Sequence, residues 1–126
     1  MWQPIHAAEV PTSQLPFSPA VLAGGFVFVS GQASVDDQGT IVPDTFAGEM
    51  RRSFENVAKV LAGAGLELGD VVQVRAYVRD PGDLPQYNEV YREFFAQPYP
   101  ARTTLTHCLP ESLRFEVDVI ARVRNE

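Results

Sequence analysis

Hydrophobic and polar positions along the chain follow two periods. From Val71 to Arg79 they alternate, with Val72, Val74, Ala76 and Val78 on one side and Gln73, Arg75, Tyr77 and Arg79 on the other. Ser112 to Val123 repeats this over a longer run: Leu113, Phe115, Val117, Val119, Ala121 and Val123 oppose Arg114, Glu116, Asp118 and Arg122, with Ile120 the apolar exception. Period two belongs to a half-buried strand, whose successive side chains point to opposite faces. Ala20-Val21-Leu22 and Phe26 to Ser30 are aromatic and β-branched runs separated by Gly24-Gly25, which predicts two strands joined tightly. The second ends at Ser30-Gly31-Gln32, and Asp36 to Gly39 forms a turn. Arg102 to Cys108, built of Thr and Leu, is a further strand.

The other period is helical. Phe46, Met50, Phe54, Val57 and Leu61 recur every three or four residues, with Arg51, Arg52, Glu55 and Lys59 between them. That spacing makes a one-faced helix. Asp44 is its expected N-cap, and Gly63 and Gly65 end it. Asp83 with Gln86 suggests a capping box for a second helix. Its apolar face carries Leu84, Tyr87, Val90, Tyr91, Phe94 and Phe95, and it stops before Pro98. The order is β-β-α-β-α-β-β, an α+β two-layer arrangement with both helices on one side of a sheet. The far side, with Arg75, Tyr77, Glu116 and Asp118, suits either water or other subunits.

Composition narrows the chemistry. A chain of 126 residues is the size of one domain, residues 1–126, and buries about two-thirds of its surface without metals or disulfides. Its one Cys excludes an internal disulfide and a cysteine-cluster zinc site. His6 and His107 are not in metal-ligand spacing, so no metal site is expected. A net charge of −6 argues against nucleic acid as a partner. No apolar run reaches the ~20 residues that span a bilayer. The first residues lack the basic and apolar segments of a signal peptide. The expectation is a soluble cytoplasmic protein that binds no membrane.

Few residues are equipped for catalysis. Arg102 enters a strand from Pro100-Ala101, where its planar fork suits a carboxylate; a surface ion pair is the commoner fate of such an arginine. Glu116 lies mid-strand between Phe115 and Val117. It is either solvated, paired with Arg75, or partly buried with a raised pKa and able to deprotonate a water. Ser30 and Gly31 suit either a small-ligand cradle or an ordinary turn. No nucleophile elbow surrounds Ser30. His107 and Cys108 would point to opposite strand faces, so Cys108 is expected as a small core residue. Lys59, on the polar helix face, lacks the desolvation a Schiff-base lysine needs.

Several segments in order carry a resemblance: Pro16-Phe17-Ser18-Pro19, Phe28-Val29-Ser30-Gly31-Gln32, Asn56, Ala64-Gly65-Leu66, Asn88-Glu89-Val90-Tyr91 with Phe94-Phe95, Pro100-Ala101-Arg102, Leu109-Pro110, and Phe115 to Ala121. Together they resemble the RidA family (reactive intermediate deaminase A, YjgF-like) over nearly the whole chain. The resemblance implies a chorismate-mutase-like fold, with a mixed sheet backed by two helices, and a homotrimer with pockets at subunit interfaces. It implies cofactor-free hydrolysis of 2-imino acids to 2-oxo acids and ammonia. Arg102 would then clamp the substrate carboxylate and Glu116 would position or activate water. Phe17, Ser30, Gly31, Asn88 and Thr104 would lie in or beside the pocket. A non-catalytic module for small 2-imino or 2-oxo carboxylates, or a pathway-specific hydrolase of a related enamine, are the alternatives.

Three features depart from the family pattern. Phe17 stands where deaminating members usually carry Tyr, and Thr104 where many carry Cys. The stretch from Arg102 to Leu109 is one residue shorter than usual. A one-residue slip reverses strand faces, so the register of Arg102 against Glu116 is left for the tertiary structure.

Overall fold

A computed structural model of the protein describes residues 1–5 and 15–124. The predicted runs become strands β1 (Gln3–Ile5), β2 (Ala20–Ala23) and β3 (Phe26–Ala33), helix α1 (Phe46–Ala62), strand β4 (Val71–Val78), helix α2 (Leu84–Phe94), and strands β5 (Ala101–Thr106) and β6 (Phe115–Arg122). They form one six-stranded sheet in the order β1-β2-β3-β6-β4-β5. All neighbours are antiparallel except β4 and β5, which run parallel with α2 as their crossover. This is the expected two-layer α+β architecture, with both helices on one face of a mixed sheet. Among the described residues no helix is long and apolar enough to cross a membrane.

Burial follows the two periods except at the start of β4, where a register shift between Val71 and Gln73 buries Val71 and leaves Val72, expected on the apolar face, exposed. On the helix side of the sheet, Val74, Ala76 and Val78 of β4 and Phe115, Val117, Val119 and Ala121 of β6 are buried. Met50, Phe54, Val57 and Leu61 of α1 meet them with no exposed surface. Phe54 anchors the layer, stacking on Phe94 with ring centroids 5.0 Å apart and meeting Phe95 edge-on at 5.5 Å. Truncating such a side chain to Ala typically costs about 3–5 kcal/mol. Polar ties fix the helices over the sheet. The Asn56 amide donates to the carbonyls of Ala33 and Val35, holding the end of β3 beneath α1.

The structure corrects several expectations. β1 was not foreseen; three residues are too few to show a period. Thr45, not Asp44, caps α1: its hydroxyl accepts from the Gly48 amide. Asp44 accepts from the Thr45 amide instead, which lowers its pKa. Asp83 makes no side-chain cap to α2, because a 3-10 turn over Pro81–Asp83 already holds it in helical conformation. Strand β3 runs one residue past the expected end at Ser30-Gly31-Gln32, to Ala33, with a register shift between Val29 and Gln32. Strand β5 stops at Thr106 because His107 adopts a positive φ of 63°. That turn leaves Cys108 exposed rather than in the core. β6 starts at Phe115, since residues 110–113 form a turn closed by the Leu113 amide on the Pro110 carbonyl. His6 and the proline-rich stretch before Leu15 lie outside the described residues.

Candidate functional site

Cross-strand register decides where the two leading side chains point. Arg102 pairs with Val74, and Thr104 with Ala76. Paired residues share a face, and Val74 and Ala76 are buried under the helices, so Arg102 and Thr104 point to the helix side. Glu116 pairs with Tyr77, between buried Ala76 and Val78, so it points to the open side. One chain therefore carries Arg102 and Glu116 on opposite faces of its sheet.

The arginine side is built by β5 and α2. Tyr87 and Tyr91, one helical turn apart, present their rings to Arg102, whose guanidinium carbon lies 4.8 and 4.7 Å from the two ring centroids. Each such contact is worth about 0.5–2 kcal/mol, more where water is excluded. The Tyr87 and Thr104 hydroxyls are hydrogen-bonded at 2.8 Å, which holds the first ring in place. Among the described residues no carboxylate pairs with Arg102, so the surface ion pair is not formed and its fork stays open to an anion. A cavity of about 210 Å³ opens beside it, lined by Asn88, Tyr91, Arg92, Tyr99, Pro100 and Arg102. That is below the ~300–1,000 Å³ of drug-sized sites and suits a small metabolite. Burial pushes the Tyr91 hydroxyl up to about 12, so it stays a neutral phenol, and among the described residues it has no hydrogen-bond partner. Burial raises the Tyr87 hydroxyl as well.

The glutamate side is built by β3 and β6. Glu116 lies against Gly31, where a Cβ would stand 2.6 Å from Glu116 Oε2. A side chain at 31 would push the Glu116 carboxylate from this position, so the register shift in β3 places a bare backbone position beside it. Desolvation raises the Glu116 pKa, and Asp118 on the same face adds to the effect. Arg75 does not relieve it: its guanidinium binds Asp118 at 2.9 Å, and the Tyr77 hydroxyl donates to the same carboxylate at 2.7 Å. The Ser30 hydroxyl donates to the Ser18 carbonyl at 2.6 Å, and the Ser30 amide to Pro19. Ser30 thus pins the segment that carries Phe17, which is 52% exposed.

The candidate residues fall into two groups. Arg102, Asn88 and, through Tyr87, Thr104 form one; Glu116 and Gly31 form the other, with Ser30 next to Gly31 in β3 and bonded to the segment that carries Phe17. Sequence reasoning missed Tyr87, Tyr91, Tyr99 and Arg92 as site residues. The spacing of Tyr87 and Tyr91 marked them as core, and periodicity does not tell a core ring from one that also floors a cavity. Among the described residues no cluster of His, Cys, Asp or Glu could hold a metal ion.

Comparison with known proteins agrees with this architecture. The family model described as endoribonuclease L-PSP matches residues 7–123. A RutC family protein of Pyrococcus horikoshii is 35% identical, with 96% of this chain and 98% of that one aligned. The bovine 2-iminobutanoate/2-iminopropanoate deaminase is 32% identical over 93% of this chain and 87% of its own. Among solved structures, Escherichia coli TdcF with bound serine superposes with a TM-score of 0.85 at 34% identity, covering 98% of this chain and 99% of that one. RidA from an Antarctic Psychrobacter superposes at 0.87 and 30% identity, covering 96% and 99%. With its two helices on a mixed six-stranded sheet and these matches along nearly its whole length, the chain belongs to the YjgF/RidA family.

Proposed function

We propose that the protein hydrolyses reactive 2-imino acids to 2-oxo acids and ammonia without a cofactor. One observation carries the reading: Arg102 is held against two aromatic rings at a small cavity and has no carboxylate of its own among the described residues. Such an arginine is ready for a substrate carboxylate, and holding that group supplies the proximity part of catalysis. The carboxylate of Glu116 takes a proton from water as its oxygen bonds to the imine carbon. The protonated Glu116 then gives its proton to the adduct's nitrogen, the C–N bond breaks to release ammonia, and the hydroxyl proton returns to the carboxylate as the C=O bond of the 2-oxo acid forms. A protonated imine carbon is already electrophilic, so a general-base contribution of about 10²–10⁴ is enough. The name of the bovine relative and the serine bound to TdcF both favour a small amino-acid-like carboxylate.

Arg102 and Glu116 face opposite ways in one chain, so the proposal includes a second copy. The assembly is read as a homotrimer, in which the arginine side of one subunit meets the glutamate side of the next. The open face supports this: exposed Phe26, Phe28 and Leu105 share it with Ile120.

The test generates imines with an amino-acid oxidase and traps them with semicarbazide. Adding the protein is expected to divert imine to oxo acid, and Arg102→Ala to lose that effect by at least about 100-fold. Equal rates with and without the protein would end the reading. Phe17, which lacks a phenolic hydroxyl, gives the second reading its footing, a carboxylate-binding module. Calorimetry showing Arg102-dependent binding of 2-oxobutanoate without any turnover would select it.

A further inference from the structure

Six of the nine arginines hold a carboxylate within ion-pair distance. Among the described residues Arg92, Arg102 and Arg122 do not. Arg122 lies on the open face opposite Phe26. The other two line the same cavity. Two unpaired cations at one small cavity are unusual in a chain with sixteen acidic residues and a net charge of −6. Negative charge placed between or upon them would relieve their mutual repulsion beyond what water screens. Among the described residues of the same chain no carboxylate supplies that charge. Glu93, beside Arg92 on α2, is held by Arg51 in a two-point contact at 2.9 and 2.7 Å. Arg92 makes one long contact, from Nη1 to the Asn88 carbonyl at 3.4 Å. Among the described residues its other donors have no partner, and both arginines are exposed, Arg102 with its guanidinium against the two rings. Tyr99 and Pro100 give the rest of the cavity apolar wall, suited to a short methylene chain.

Resting on the deaminase reading above, we propose that the preferred substrate is a 2-imino dicarboxylate, with Arg102 holding the carboxylate next to the imine carbon and Arg92 holding the distal one. Arg92 is then the specificity-determining residue. Both contacts use the guanidinium fork, which binds carboxylates by two parallel hydrogen bonds.

The experiment compares imines made in place from aspartate or glutamate with those made from alanine or 2-aminobutanoate, using oxidases matched to each, and reads kcat/KM by competition with semicarbazide. The dicarboxylic imines are expected to be favoured at least about tenfold. Arg92→Gln should lower the ratio of dicarboxylic to monocarboxylic kcat/KM about tenfold or more, with Arg92→Lys in between. Arg102→Ala should depress both classes. A preference for monocarboxylic imines, or an unchanged ratio in Arg92→Gln, overturns this inference and leaves the deaminase reading standing. If neither class of imine is consumed, the deaminase reading fails by itself, and calorimetry decides the charge preference. Tighter binding of 2-oxoglutarate than of 2-oxobutanoate, lost in Arg92→Gln, supports a dianion site; equal binding overturns it.

Discussion

Glu116 is a carboxylate whose charge the fold resists. Burial and the neighbouring Asp118 raise its pKa above the ordinary carboxylate range. The folded state therefore binds more protons than the unfolded chain at pH values between the unfolded pKa, ~4.3, and the raised folded one, and stability falls as pH rises through that window. Glu116→Gln removes the strain. The variant is expected to melt higher than wild type at neutral pH, with the gap closing below the unfolded pKa; a gap that stays constant with pH would show that ionisation is not its cause. In the same variant imine turnover should drop about 10²–10⁴-fold, and wild-type activity should rise with pH through the raised pKa as the base ionises. Tyr91 offers a complementary test. Its hydroxyl is buried without a partner among the described residues, a condition that costs about 1–3 kcal/mol. Tyr91→Phe keeps the ring under Arg102 and should leave the melting temperature equal or higher; a clear loss would mean the hydroxyl is bonded in solution.

At the scale of elements, Glu49 of α1 does work that its helical position did not announce. It is only 2% exposed, and its carboxylate accepts from the amides of Arg114 and Asp44 at 3.0 and 3.3 Å. It thereby ties the start of β6 and the segment before α1 to one side chain, and Arg114 Nε adds a charge at 3.7 Å. Glu49→Ala should cost about 2–4 kcal/mol in denaturant unfolding, since two backbone donors lose their acceptor together. The periodic elements were legible because each needs only its own run of residues. Both helices, β4 and β6 lie where their apolar spacing predicted, to within a few residues at their ends. Local competition explains the misses. A hydroxyl one residue along took the cap of α1 from Asp44, and a 3-10 turn made the capping box of α2 unnecessary. At β5, a left-handed His107 turned Cys108 out of the strand and away from the core.

At the scale of the whole molecule, the proposed trimer makes two expectations that do not depend on each other. Phe28 is 43% exposed on the open face, so Phe28→Glu should leave the chain folded while light scattering shows monomers in place of trimers, with imine turnover lost. Mixing Arg102→Ala and Glu116→Gln chains, each inactive alone, should restore about a quarter of the sites, because random assembly places an intact arginine against an intact glutamate at that share of interfaces. No recovery in mixed trimers would mean that both groups act from one chain.

The sequence by itself determined the strand and helix periods, the two-layer class and the short roster of groups able to carry chemistry, Arg102 and Glu116 among them. These depend on residue type and on spacing along the chain, which are local properties. Which way those two side chains face could not be read there. It depends on β4 pairing with β5 on one side and β6 on the other, in one register out of several that differ by a residue. The cradle of Tyr87 and Tyr91 under Arg102, the glycine under Glu116, and the shared cavity of Arg92 and Arg102 likewise join residues from separate elements. Such contacts exist only once the chain has packed, because packing alone sets which distant side chains share the same few ångströms.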